Sequence, residues 1–145
     1  MKTWLKILII LAITGIVAAV AGYVFVYNKP HPDFETMTPD FNLKAADIFT
    51  AFKMDKAAAE IKFNGKLVEM TGKLSKIEEA DSLVIAVFVF DQGMFGDEGI
   101  RCTMLPGHIQ KLKSLQPESE VAIKGYLTGY NDTDVILEKC SITSK

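Results

Sequence analysis

Leu83–Phe90, written LVIAVFVF, is a continuous apolar run of β-branched and aromatic residues. Turn formers bound it, Asp81-Ser82 on one side and Asp91-Gln92-Gly93 on the other. A run of this length and composition predicts a strand buried on both faces, or nearly so. Such a strand needs partners on both edges and cover on both faces, and the rest of the chain has to supply them.

The flanking segments read as those partners. Lys66–Glu78 alternates loosely, with Leu67, Val68, Met70, Leu74 and Ile77 apolar, and Gly72 inside it suggests a bend or bulge. Asp91–Gly99 reads as a glycine-rich hairpin loop. Gly99–Leu105 follows as a third strand, with Ile100, Cys102 and Met104 on one face. Pro106 opens a short helix to about Leu115, where its missing N–H costs nothing. Glu118–Tyr130 and Val135–Thr143 are the fourth and fifth strands, with Gly125 and Gly129 as bend points and Asn131–Asp134 as the turn between. Ahead of the strands, Ala45, Ile48, Phe49 and Phe52 fall at helical spacing in Ala45–Met54. Asp55 is placed to cap a second helix, Lys56–Phe63, which Asn64-Gly65 stops. Five strands with one helix between the third and fourth predict a mainly β fold, a five-stranded OB-fold Greek-key barrel with an N-terminal helical preface. A layered α/β sheet is disfavoured, because strands and helices do not alternate.

The N-terminus has a different character. Ile7–Tyr27 holds 21 residues without a charge. As a helix that is about 32 Å long, which matches a bilayer core of ~30 Å. Two readings are open, a cleaved signal peptide with Ala19-Val20-Ala21 as processing site and an uncleaved signal anchor. The apolar run continues past that site to Tyr27, which favours the anchor. Trp4 and the pair Tyr23 and Tyr27 would then lie at opposite interfaces. Lys2 and Lys6, against Lys29 beyond the span, put the N-terminus in the cytoplasm and the rest outside, across a bacterial inner membrane in a single pass. The expected organisation is an anchor over 1–27, a Pro-rich stalk over 28–41 (Pro30, Pro32, Pro39) and a barrel domain over 42–145. Phe34, Met37 and Phe41 are stalk residues able to reach the domain.

Several short segments carry a family resemblance. Lys66–Gly72 (KLVEMTG), Ile100-Arg101-Cys102, Val121–Gly125 (VAIKG) with Gly129, and Leu137–Ile142 (LEKCSI) resemble the tRNA_anti-like family, bacterial OB-fold proteins that are often membrane-anchored or lipoproteins. The resemblance covers roughly residues 42–143. It implies the fold and an envelope location. These are strand patterns, so the resemblance supplies no catalytic or binding residues.

Charge narrows the partners. All 18 acids follow Tyr27 while Lys2 and Lys6 precede it, so the remainder has 14 bases against 18 acids and a formal charge of −4. Nucleic-acid binding rests on phosphate neutralisation, and a domain with Arg101 as its single arginine is a poor candidate. A basic groove formed by Lys73, Lys76, Arg101 and Lys124 would reverse that expectation. Cys102 and Cys140 fall on neighbouring strands, and either a disulfide over a 38-residue span or two buried thiols is consistent with an extracytoplasmic domain. His31 and His108 have no ligand at metal spacing, so no metal or cofactor is expected. Asp132 and Asp134 could hold calcium, but D-x-D in a turn is ordinarily turn chemistry. No nucleophile has a plausible base, and the chain is not expected to be an enzyme. The binding signal is apolar and aromatic: Phe88 and Phe90 on the central strand, Met94 and Phe95 at a loop tip, Tyr126 and Tyr130 on the fourth strand. Stacking on such rings is how OB-folds hold bases. The expected function is a membrane-anchored, non-enzymatic OB-fold module facing the periplasm and recognising a protein or envelope ligand. Single-stranded nucleic acid or an oligosaccharide is the alternative.

Overall fold

A computed structural model of the chain describes residues 2–27 and 33–143. Asn28–Pro32 of the expected stalk, with His31, lies outside the described residues. Two compact units result, residues 1–32 and residues 33–145.

The first unit is one helix, α1 (Thr3–Gly22), prolonged by a π turn over Tyr23–Tyr27. It is long and apolar enough to cross a membrane, and the unit buries none of its side chains. Its hydroxyl at Thr14 donates to Ile10 O at 2.8 Å, so that polar group is satisfied within the helix, as a hydrocarbon setting requires. Tyr23 and Tyr27 stack at its end, ring centroids 5.6 Å apart.

The second unit carries seven strand segments. They are β1 (Phe41–Lys44), β2 (Leu67–Lys73), β3 (Lys76–Ala80), β4 (Leu83–Gly93), β5 (Gly96–Met104), β6 (Glu120–Tyr130) and β7 (Asp134–Ile142). Their hydrogen-bonded order is β1-β2-β6-β7-β5-β4-β3. The expected first strand is split at Leu74-Ser75 into β2 and β3. β2 pairs with β6 and β3 with β4, so one bent strand serves both sides of the sheet. Leu74 N–H donates to Ser119 O and Ser75 N–H to Val87 O, both at 2.9 Å, and the chain itself completes the ring between β2 and β3. This is the OB arrangement of five strands, counting β2 and β3 as one. β1 is an addition that pairs parallel to β2, formed by residues the sequence reading put at the stalk boundary.

The break falls at Leu74-Ser75, not at Gly72. Gly72 has another reason to be glycine: a Cβ there would lie 2.9 Å from Ala45 Cβ and 3.3 Å from Phe88 Cδ1. It lets helix α2 (Ala45–Met54) sit down on the barrel. α2 buries Ala45, Ile48, Phe49 and Phe52, the face its periodicity predicts. α3 (Lys56–Phe63) buries Ala59 and Phe63, and Asp55 caps it by accepting from the Ala58 N–H at 3.1 Å. Inside the barrel, Val68, Met70, Ala86, Ile100, Ile123 and Leu137 pack against these helices. After β5, a 3-10 turn over Pro106–His108 leads into α4 (Ile109–Lys113), which buries Leu112.

The expected nine-residue loop 91–99 is far shorter. β4 runs to Gly93 and β5 starts at Gly96, leaving Met94-Phe95 as a two-residue turn. Gln92 pairs with Asp97 and Gly93 with Gly96, so polar residues that read as loop extend the ladder instead.

Candidate functional site

Ile100 and Cys102 of β5 point into the core, so Arg101 between them stands on the outer face. Register places Arg101 in a row with Val87 of β4, Lys76 of β3 and Ile136 of β7. Arg101 Nε donates to Asp134 Oδ2 at 3.0 Å, and a terminal guanidinium nitrogen donates to Glu78. Lys76 Nζ lies 3.1 Å from Glu78 Oε1 and 3.0 Å from Asp97 Oδ2. Gln92 donates to the other Asp97 oxygen. Val87 is buried beneath this lattice. Arg101 holds the Glu78 carboxyl below its ordinary value, burial opposing and Lys76 assisting. Lys76 does the same for Asp97.

The four basic residues that would form a groove for nucleic acid do not converge. Lys76 and Arg101 are committed to carboxylates in this lattice. Lys124 of β6 is turned away and 6% exposed. Its Nζ donates to Glu35 O at 2.7 Å and Met37 O at 2.8 Å. Around it, Phe34 packs on Tyr126 with centroids 5.5 Å apart, and Lys139 Nζ lies 5.1 Å from the Phe34 ring. His108 accepts from the Ile142 N–H at Nδ1, so Nε2 is its donor to Glu35 Oε1, 3.0 Å away. Asp40 donates its N–H to Leu67 O at 2.7 Å, and its carboxylate accepts from the Leu67 N–H at 2.9 Å. Asp33–Asp40 is therefore a strap fastened across the barrel, and of the stalk residues expected to reach the domain, Phe34 does so on Tyr126 and Phe41 on Phe63.

Lys73 lines a cleft of about 850 Å³ between β1, the first turn of α2, the end of β2 and the distal half of β4. Leu43, Lys44, Asp47, Phe90 and Glu118 also line it. The cleft is not legible in the sequence, since its walls come from four separate segments with no motif among them.

The six apolar and aromatic candidates are dispersed. Phe88 is fully buried in the core, paired with Ile100, and is not available to a ligand. Phe90, two residues on, escapes because the register shifts between Val89 and Asp91 and turns it onto Phe49, centroids 5.5 Å apart. Tyr126 is under the strap. Tyr130 packs on Phe52 at 5.3 Å and donates to Asp132 O, and burial raises its phenol above the usual value. Met94 and Phe95 are 94% and 93% exposed. Phe90, Met94 and Phe95 thus remain accessible on one hairpin.

Asp132 is paired with Lys56 at 2.7 Å and Asp134 with Arg101, so the two carboxylates diverge and do not form the calcium pair considered above. Among the described residues no three metal-binding side chains group together. Cys102 and Cys140 are free and buried. They are not directly opposed: Cys102 pairs with Leu137, and Cys140 with Met104 across a bulge. Of the two alternatives the structure has the thiol pair.

A model of the tRNA_anti-like family matches residues 1–142. The chain belongs to the tRNA_anti-like family. Among solved structures, this tRNA_anti-like protein is similar to a "putative nucleic acid-binding lipoprotein" from Klebsiella pneumoniae. The TM-score is 0.58 at 18% identity, over 80% of this chain and 100% of the other. Looser likenesses include an OBody bound to hen egg-white lysozyme, with TM-score 0.40, 17% identity, and 58% and 81% of the two chains covered. Asparaginyl-tRNA synthetase from Pyrococcus horikoshii has TM-score 0.39 and 17% identity, over 57% of this chain and 20% of that one. Comparison with curated proteins gives no match. At these identities the likeness concerns the OB-type fold alone.

Proposed function

We propose that this tRNA_anti-like protein is a non-enzymatic binding module, held by α1 on the extracytoplasmic side of a bacterial inner membrane. Its ligand is a protein or envelope component, taken at the cleft beside Phe90. One observation carries this reading over nucleic acid: Arg101 is bound by both Glu78 and Asp134. OB-folds receive oligonucleotides across the strands where Arg101 stands. A guanidinium already neutralised by two carboxylates offers a phosphate little.

Nucleic-acid binding is the second reading, favoured by the fold type and by the name of the Klebsiella relative. Fluorescence anisotropy separates the two. The full chain in detergent micelles is titrated against labelled single-stranded DNA and RNA at low and physiological salt. No saturable binding at physiological salt is expected. Submicromolar binding that weakens steeply with salt would sink the proposal.

A further inference from the structure

β1 stands at one end of the strand order, so one of its edges has no strand beside it. Register shows what that edge offers. Leu67 spends its N–H and its carbonyl on Asp40, just before β1, and Leu74 spends both on Ser119 and Glu118, just before β6. Backbone direction alternates along a strand, so Glu69 and Thr71 turn toward β1 while Met70 and Gly72 turn toward β6. Asn42 lies opposite Glu69 and Lys44 opposite Thr71. A residue in a parallel ladder bonds to the two neighbours of the residue it faces. Phe41 and Leu43 therefore hold β1 to β2. The N–H and carbonyl of Asn42, and the N–H of Lys44, point the other way. Asn42, Leu43 and Lys44 line the cleft, so these groups open into it. On β4, across the cleft, the outward donors are already engaged: Val89 N–H donates to Ser75 Oγ at 2.9 Å and Gln92 N–H to Asp91 Oδ1 at 2.8 Å.

The side chains around that edge sort by face. Leu43 packs partly on the core, and with Val89 and Phe90 it gives the cleft an apolar side. Lys44 lies beside Thr71, and Lys73 follows two residues on, which puts both lysines on the opposite face. Both are exposed, and among the described residues neither has an ion-pair partner. Lys53, Lys56, Lys76 and Lys113, by contrast, each hold a carboxylate. Asp47, Glu118 and Glu120 also line the cleft, equally exposed and unpaired, so a uniformly acidic ligand is repelled. Free main-chain groups along a strand edge, an apolar side and unpaired charges of both signs together fit an extended polypeptide. Resting on the cleft as the ligand site, we propose that its ligand is such a segment of a partner protein, added as a strand beside β1. An apolar side chain of the segment lies against Leu43 and Phe90, and an acidic one reaches Lys44 and Lys73.

The test probes the full chain in detergent micelles with an array of random synthetic peptides, and those retained are measured in solution by fluorescence anisotropy. They are expected to alternate apolar and charged residues, with an acid among the charges. Methylating their backbone nitrogens one at a time should weaken binding at every second position and not between, because a strand turns alternate N–H groups to its neighbour. Asn42→Pro removes one outward N–H and keeps the bonds to β2, as proline on an edge strand can. It should weaken binding about tenfold, the worth of one hydrogen bond, with the urea midpoint unchanged. Lys44→Glu combined with Lys73→Glu should exchange the preferred acid for a base. Peptides that lose affinity in Phe90→Ala but tolerate methylation at every position overturn strand addition and leave the cleft to a ligand held in another way. Peptides indifferent to Phe90→Ala as well remove the cleft as the ligand site. An array that retains nothing overturns the peptide ligand.

Discussion

Arg101 and Asp134 meet across the parallel β5–β7 pair, Nε to Oδ2 at 3.0 Å, with Asp134 buried. The other Asp134 oxygen accepts from the Gly99 N–H at 3.1 Å. A carboxylate out of water needs both donors, so removing the guanidinium strands a buried charge. Arg101→Met is expected to lower stability by about 2–3 kcal/mol, read as a lower urea midpoint. Asp134→Asn added to it should recover part of that loss, because the charge left without its partner is then gone.

The same lattice sets the acid limb of stability. Arg101, then Lys76, holds the Glu78 carboxyl below its ordinary value, and Lys76 holds Asp97 there. A carboxyl depressed in the fold stabilises above its unfolded pKa, about 4.3 for Glu, and that contribution is lost as pH falls through the folded value. Urea midpoints should therefore fall from about pH 5 downward. The fall should be shallower in Arg101→Met, and an identical slope in the variant would assign the limb to other carboxylates.

Gly99 tests the strand packing. A Cβ there would lie 1.8 Å from Phe88 O, a main-chain atom in the paired strand β4 that cannot step aside. Gly99→Ala is expected to cost about 3 kcal/mol or more. Gly107 has open space around its Cβ position, so Gly107→Ala should change little. Thermal unfolding of the two variants side by side checks both.

What the sequence revealed was set by local chemistry. The α2 periodicity, the Asp55 cap and the buried central run act over a few residues, and each is where the pattern puts it. Phe88 and Phe90 looked like one face because the period of a strand is two; the shift at Val89 separates them. Pro30, Pro32 and Pro39 made Asn28–Phe41 read as a spacer. The lysine that fastens Asp33–Asp40 lies almost ninety positions away, a distance over which no periodicity operates. The cleft was invisible for the same reason. Arg101 was singled out as the lone arginine, but its two carboxylates are set by cross-strand register, which composition cannot show.

The thiols should be inert in the native state. Burial, with the neighbouring Cys102 adding to it, pushes the Cys140 thiol well above its usual value, and both sulfurs are out of water. The thiolate is the reactive form, so alkylation should be slow until the domain unfolds. Iodoacetamide labelling followed by mass spectrometry, with and without urea, reads this directly. Rapid labelling of either cysteine in native protein would contradict the buried pair.

The strap gives the last prediction. Lys124 donates to two main-chain carbonyls, Glu35 O and Met37 O, from a nearly buried position. Lys124→Met keeps the aliphatic stem and removes both charged donors, leaving the carbonyls to find water by lifting off the barrel. The lost hydrogen bonds are worth about 2 kcal/mol together. Local opening of Asp33–Asp40 should become about 30-fold more frequent, since proteolysis of a segment tracks its open population when opening is fast. A glutamyl endopeptidase cutting after Glu35 is the probe, and its rate should rise by that factor in the variant while the urea midpoint of the barrel moves much less. An unchanged cutting rate would mean that the other fastenings, Phe34 on Tyr126 and Asp40 at Leu67, hold the strap without the lysine.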